Sequence, residues 1–182
     1  LYYRNTTQYG WNFSAANSTV DFGFFYNTSA TSNGTVKRNT KISDGLAGFN
    51  PSGLVGSDNF GYSVTSIGDL DGDGIIDLAV GAYQDENVDN QEGAIYILFL
   101  NDTNGTVKRN TKISDGLAGF NPSGLDASDF FGQSISSIGD LDGDGIIDLA
   151  VGASGDENVD SQEGAIYILL LSDTNGTVKR NT

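Results

Sequence analysis

The stretch GDLDGDGIIDLAVGA stands at 68–82 and again, without a substitution, at 139–153. It belongs to a longer repeat. The octapeptide NGTVKRNT begins at Asn33, Asn104 and Asn175, a constant spacing of 71 residues. Residues 33–103 form one copy, 104–174 a second, and 175–182 open a third. Aligned without gaps, the two full copies differ at 11 positions, with mild exchanges such as Val64 for Ile135 and Phe99 for Leu170. Such a period constrains the fold more than composition does. Each copy is one supersecondary unit that buries its faces on its neighbours.

Each copy reads as four strands. In the first copy they lie near 35–43 (TVKRNTKIS), 60–68 (FGYSVTSIG), 76–82 (IDLAVGA) and 94–100 (AIYILFL). In the last of these, Ile95, Ile97 and Phe99 face one side while Tyr96, Leu98 and Leu100 face the other. Apolar side chains on both faces predict a sheet covered on both sides. No segment shows a helical apolar period. Glycine supplies 25 of 182 residues and proline only 2, which fits many short strands joined by tight turns. The predicted fold class is all-β, a tandem array of β-propeller-like blades, each of four antiparallel strands. Residues 1–32 differ from the repeats. They are aromatic, hold the single Trp (Trp11), and read as a cap or as the end of a diverged blade with 20–29 as its closing strand.

Within the repeated stretch, Asp69, Asp71, Asp73 and Asp77 are spaced D-x-D-x-D-G-x-x-D, and Asp140, Asp142, Asp144 and Asp148 repeat the spacing. A loop with carboxylates at positions 1, 3 and 5 can curl them around one centre, which suits a hard cation that takes six to eight oxygens. Position 7 offers a backbone carbonyl, from Ile75 or Ile146, and position 9 closes the shell. The intervening glycines permit the sharp turn. The first half is EF-hand-like, but no Glu stands at position 12 and strands flank the loop. One structural Ca²⁺ per copy, two in all, is expected. Mg²⁺ prefers to keep its waters, and Zn²⁺ lacks His and Cys ligands, since the chain contains neither. The alternative is a solvated acidic turn, opposed by the mutual repulsion of four aspartates within nine residues. A second acidic run, 84–93 and again 155–164, is expected to be a solvated connection, with a second metal site as its alternative.

Phe60-Gly61 and Phe131-Gly132, then the acidic loop, then Gly81-Ala82 and Gly152-Ala153, resemble the FG-GAP repeat. Tyr83 or Ser154 follows Gly-Ala where the name-giving motif has Pro. The resemblance covers both full copies. It implies extracellular, calcium-bearing blades like those of the propeller head of integrin α subunits. Integrin ligand binding does not carry over with it, because that depends on loops and on a partner subunit. A closed propeller needs at least about four blades, so two copies imply a longer array or completion by other chains. A head-to-tail contact that does not close gives a filament.

The net charge of −15, from 24 acids and 9 bases, argues against nucleic acid and anionic membranes as partners. Without His or Cys the usual general base and nucleophile are missing, and no enzyme is expected. No stretch is long and apolar enough to span a bilayer. The chain opens on Leu1 and contains no Met, which suggests a processed product or a segment of a longer chain. Glycosylation sequons stand at Asn5, Asn12, Asn17, Asn27, Asn33, Asn101, Asn104 and Asn175, and N-linked glycans at these sites would place the chain in a secretory, extracellular setting. The triplet VKR at 36–38, 107–109 and 178–180 reads as a basic patch on an outer strand or as a dibasic processing site. The function expected is that of a calcium-stabilised, glycosylated extracellular repeat, partnered by other copies of itself in a filament, coat or adhesive fibre. The alternative is an integrin-like module that binds a protein or glycan.

Overall fold

The computed structural model describes residues 8–15, 18–25, 36, 38–86, 90–101, 104–122, 125–157, 163–172 and 175–181, and among them there is no helix. The chain divides into two compact units, 1–39 and 40–182. In the first, β1 (Gln8–Ala15) and β2 (Ser18–Phe25) pair as an antiparallel hairpin that sets Trp11 opposite Phe22. Of the segment 20–29, residues 20–25 lie in β2 of this hairpin, and 26–29 lie outside the described residues.

The second unit holds two antiparallel four-stranded sheets. One is β3 (Val64–Ser66), β4 (Leu78–Ala82), β5 (Ala94–Leu100) and β6 (Val107–Ile113), in that spatial order. The other is β7 (Ser134–Gly139), β8 (Asp148–Ala153), β9 (Ala165–Leu171) and β10 (Val178–Asn181), also in chain order. Both are all-β meanders of the propeller-blade kind, and no closed sheet occurs among the described residues. The register sets Val80 opposite Tyr96 and Val151 opposite Tyr167, so the two copies pair identically.

Each sheet takes its fourth strand from the following copy. The segment VKRNTKI forms β6 beside β5 of the first copy, and the opening of the third copy forms β10 beside β9 of the second. In the first copy, Val36 and residues 38–42 of the same segment form no strand, which corrects the expectation of a strand at 35–43. Strand formation here follows the presence of an edge to pair with, because β preference is largely a matter of neighbours.

The two faces of the first sheet lie in different cores. Val80, Ala82, Tyr96 and Leu98 pack with Phe49 and Val107 of their own sheet and its leading loop. Ala79, Ile95, Ile97 and Phe99 pack against Leu149, Val151, Leu169 and Leu171 of the second sheet and Phe120 and Phe131 of the loop before it. The expected cover on both faces of β5 is realised. Ile95, Ile97 and Phe99 are fully buried, each contributing roughly 1.5–3 kcal/mol of transfer free energy. The small residues of β4 matter as much. A Cβ on Gly81 would lie 2.0 Å from the carbonyl oxygen of Gly132, so the Phe-Gly turn of the second copy seats directly on the Gly-Ala of the first.

Candidate metal centre

The acidic loop joins the first two strands of each sheet. Its neck is closed by two backbone bonds: Ile67 N–H donates to Asp77 O at 3.0 Å, and Asp77 N–H to Gly68 O at 2.7 Å. Inside, Gly72 and Gly74 hold φ of 76° and 88°, which an L-residue adopts only with strain. Asp69 organises the turn, accepting Asp73 N–H at 2.9 Å on one oxygen and Gly74 N–H at 2.7 Å on the other. Asp77 is fully buried and accepts Leu70 N–H at 3.0 Å and Leu100 N–H at 2.9 Å, which ties the loop to the end of β5. The second copy repeats these bonds, with Asp140 to Asp144 and Gly145, and Asp148 to Leu141 and Leu171.

Three of the four aspartates converge in each loop. Asp69, Asp71 and Asp77 each bring a carboxylate oxygen within 4.8 Å of the others, and Asp140, Asp142 and Asp148 do the same. These all-oxygen clusters could hold a divalent cation. One observation bears directly on the fit: Asp71 Oδ1 is buried and has no hydrogen-bond partner, a costly state that a cation would relieve. Asp73 and Asp144 stand apart from the converging trio. Each caps the backbone instead, accepting Ile75 N–H at 2.9 Å and Ile146 N–H at 2.8 Å.

The electrostatics divide along the same line. Burial pushes the Asp77 carboxyl above the ordinary carboxylate range, against the pull of the Leu100 and Leu70 N–H groups. Asp73 and Asp144 are held below that range, first by Lys108 and Lys179 and then by the Ile75 and Ile146 N–H groups. Those lysines come from the borrowed strand. Lys108 bridges Asp71 at 3.1 Å and also Asp73, and Lys179 bridges Asp142 at 3.3 Å and also Asp144. Arg109 reaches Asp71 at 3.4 Å and lies over the Phe99 ring, 3.3 Å from its centroid. At 107–109 and 178–180 the VKR triplet is thus on an outer strand, with its lysine turned onto the acidic loop of the preceding copy, whereas Val36 and Arg38 lie in no strand.

The second acidic run departs from expectation. Asp85 and Glu92 are fully buried, and so is Asp156, so this connection is not simply solvated. Asp85 accepts the Tyr96 hydroxyl at 2.8 Å and Lys112 Nζ at 2.6 Å. Tyr96 in turn completes an aromatic trio with Phe49 and Phe60, matched in the second copy by Phe120, Phe131 and Tyr167. A tyrosine inside an apolar strand needs a partner for its hydroxyl when buried. That need was the one signal in the sequence for a buried acid nearby. Among the described residues, three carboxylates converge only in the two loops.

Of the sequons, Asn101, Asn104 and Asn175 are exposed, and Asn12 lies in β1. Asn5, Asn17, Asn27 and Asn33 lie outside the described residues.

Comparison with known proteins follows the same boundaries. The FG-GAP repeat matches residues 60–98 and 131–169, each run starting at Phe-Gly and ending inside the third strand of a sheet. Integrin alpha-2 of Mus musculus is 37% identical over 101 residues, which is 55% of this chain and 8% of that protein. Integrin alpha-4 of Xenopus laevis is 36% identical over 104 residues, covering 55% and 9%. Integrin alpha-M of Mus musculus is 41% identical over 96 residues, covering 53% and 8%. The chain thus spans less than a tenth of the length of these relatives and is matched over about half of its own. The chain carries two FG-GAP repeats, each holding one acidic loop and reaching into the third strand of its sheet.

Proposed function

We propose that the chain is a calcium-stabilised, N-glycosylated extracellular repeat protein that serves as the subunit of a filament, coat or adhesive surface fibre. One observation carries the reading: each sheet is completed by a strand of the following copy, so the architecture propagates by addition. Near-identity of the copies favours repetition over recognition of one specific ligand. In each loop the position-1, -3 and -9 aspartates would hold Ca²⁺, with Asp73 or Asp144 and the carbonyl of Ile75 or Ile146 completing the shell. The ion supplies charge neutralisation and stiffness. The protein's own groups fix the loop to the sheet through Asp77 and Asp148. Glycans on the exposed Asn101, Asn104 and Asn175 would coat the outer edge, where the borrowed strand begins.

Electron microscopy of native material tests the assembly. Filaments or a continuous lattice are expected, and discrete closed rings would overturn the reading. A second reading, a module that binds an extracellular protein or glycan, is favoured by the relationship to integrin α subunits. Saturable binding to a defined protein or glycan, retained by isolated monomers, would establish it instead.

A further inference from the structure

The two copies differ at 11 positions, and three of those exchanges meet in space. Tyr62 and Tyr83 of the first copy, where the second has Gln133 and Ser154, bring their ring centroids to 4.5 Å, tilted by 53°. Phe130 of the second copy, where the first has Asn59, stands 5.8 Å from Tyr83 at 59°. The three rings form one cluster across the junction of the copies. Backbone bonds fix the loops that carry them: Tyr62 N–H donates to Asn59 O at 3.2 Å, Gln84 N–H to Asp58 O at 3.3 Å, and Phe130 N–H to Gln91 O at 3.2 Å.

Packing does not account for this cluster. A packing need recurs in each copy, as the trio Phe49, Phe60 and Tyr96 recurs in Phe120, Phe131 and Tyr167. The junction cluster has no such counterpart, because Gln133 and Ser154 carry no ring. Tyr62 is 59% exposed, and Tyr83 and Phe130 are half-buried. That exposure exists with the neighbour in place. Gln133 lines a cavity with Gly152, the counterpart of the Gly81 on which the second copy seats, so position 62 faces the copy that follows, and there that copy is present. The backbone adds a further mark. Phe130 holds φ of 59°, in the left-handed region that a bulky residue adopts only with strain, whereas Asn59 at 54° is a residue type that tolerates it. Strain kept for the sake of a partly exposed ring points to function.

The surroundings of the rings are acidic. Neither 42–107 nor 113–178 contains a Lys or Arg. Glu86 and Asp126, on the two loops that bear Tyr83 and Phe130, are exposed, and Asp126 stands where the first copy has Val55. Lys112 approaches from β6 but is bonded to the buried Asp85 at 2.6 Å. Electron-rich ring faces within a negative field suit a cation on both counts.

We propose that Tyr62, Tyr83 and Phe130 form a binding site for the arginine or lysine side chains of a basic segment of another protein, with Glu86 and Asp126 as its charged rim. This rests on the second reading above, a module that binds an extracellular protein, and gives that module the chemistry of its partner.

The copies supply the variants that test it. Tyr62→Gln and Tyr83→Ser install the residues that the second copy carries in the same fold, and Phe130→Asn installs that of the first, so all should fold, as circular dichroism would verify. A fluorophore-labelled hexa-arginine peptide is titrated with the whole chain and followed by anisotropy, with calcium in the buffer to keep the peptide from the acidic loops. Saturable binding of one peptide per chain is expected. The Tyr62→Gln, Tyr83→Ser double variant should weaken it about fivefold or more, the scale of two exposed cation–π contacts. Phe130→Asn should weaken it from the other copy without lowering the melting temperature, since it relieves the left-handed strain. Asp126→Val should have a smaller effect that fades as salt is raised. Peptide binding that the double variant leaves unchanged would mean attraction by net charge alone and would overturn the site, as would the absence of saturable binding. Chitohexaose is the parallel probe. If it binds in place of the peptide and loses affinity in the double variant, the rings take a sugar, which overturns the basic partner and leaves the binding-module reading standing.

Discussion

The two copies differ at few positions yet live in different surroundings. Leu70 is 4% exposed and its counterpart Leu141 is 62%; Ile67 is 1% and Ile138 is 39%. Their other faces behave alike, with Phe49 and Phe120 both at 0%. Each copy covers one face with its own leading loop and leaves the other to its successor. The borrowed strand has the same polarity, since it too comes from the copy that follows. Burial is therefore set by position in the array, and a repeat is stabilised mainly from its C-terminal side, as nearest-neighbour coupling in repeat proteins allows.

The sharpest way to break this comparison is one substitution made in both copies. Ile95→Ala removes a fully buried side chain at the contact and is expected to cost roughly 2–5 kcal/mol. Ile166→Ala, at an exposed position, should stay within about 0.5 kcal/mol when measured on dilute, monomeric chain. Urea denaturation reads both. Equal losses would mean that the copies are energetically equivalent and that the contact does not organise the pair.

The acidic loops make the opposite prediction, because their internal bonds are the same in both copies. Asp77→Ala strands the Leu70 and Leu100 N–H groups, and Asp148→Ala strands those of Leu141 and Leu171. Each should lose about 2 kcal/mol or more, by the cost of unpaired buried donors. Each should also abolish one of two calcium-binding events in titration calorimetry. Asp71→Ala or Asp142→Ala should lower calcium affinity and melting temperature while sparing those backbone bonds. Melting that is unchanged by a chelator would contradict a structural role for the cation.

Much of this was legible in the sequence. Apolar residues on both faces of AIYILFL announced a sheet covered on both sides, and the D-x-D-x-D-G-x-x-D spacing pointed to the loop in which the carboxylates of positions 1, 3 and 9, rather than 1, 3 and 5, converge. Three things were not legible. The repeat boundary at Asn104 hides the strand exchange, because a period fixes the length of a unit and leaves open where one sheet ends and the next begins. The identical VKRNTKI is a strand or not according to the edge beside it, which is a tertiary fact. The role of Asp73 was also hidden: spacing places it among the ligands, while the turn lets its carboxylate cap Ile75 and meet Lys108.

That lysine gives a smaller effect. Lys108→Gln and Lys179→Gln each remove a cation that stands on two aspartates of a loop. Calcium affinity should rise at the loop concerned, since the ammonium and the ion compete for the same carboxylates. The gain should shrink at high salt, as screening weakens contacts between exposed charges. Affinity that falls instead would mean that Lys108 positions the loop for the ion.

The smallest expected difference concerns Asp58 and Asp129, buried counterparts in the two copies that accept Val55 N–H and Asp126 N–H. Burial is the main cause that raises both carboxyls above the ordinary value of 3.8. For Asp58, Lys112 pulls the other way; for Asp129 the charged neighbours Asp156, Asp126 and Glu157 all push up. An acid raised in the folded state takes up its proton there first. Its contribution to stability is therefore unfavourable at neutral pH, improves as pH falls through the folded value, and becomes constant below about 3.8. Asn in place of either aspartate keeps an acceptor for the backbone N–H and removes the charge. Asp58→Asn and Asp129→Asn should each stabilise at pH about 7, with the advantage shrinking toward pH about 4. The gain should be larger for Asp129→Asn, because no lysine offsets its charge as Lys112 does for Asp58. Equal gains in urea denaturation would show that Lys112 is held entirely by Asp85 and gives Asp58 nothing.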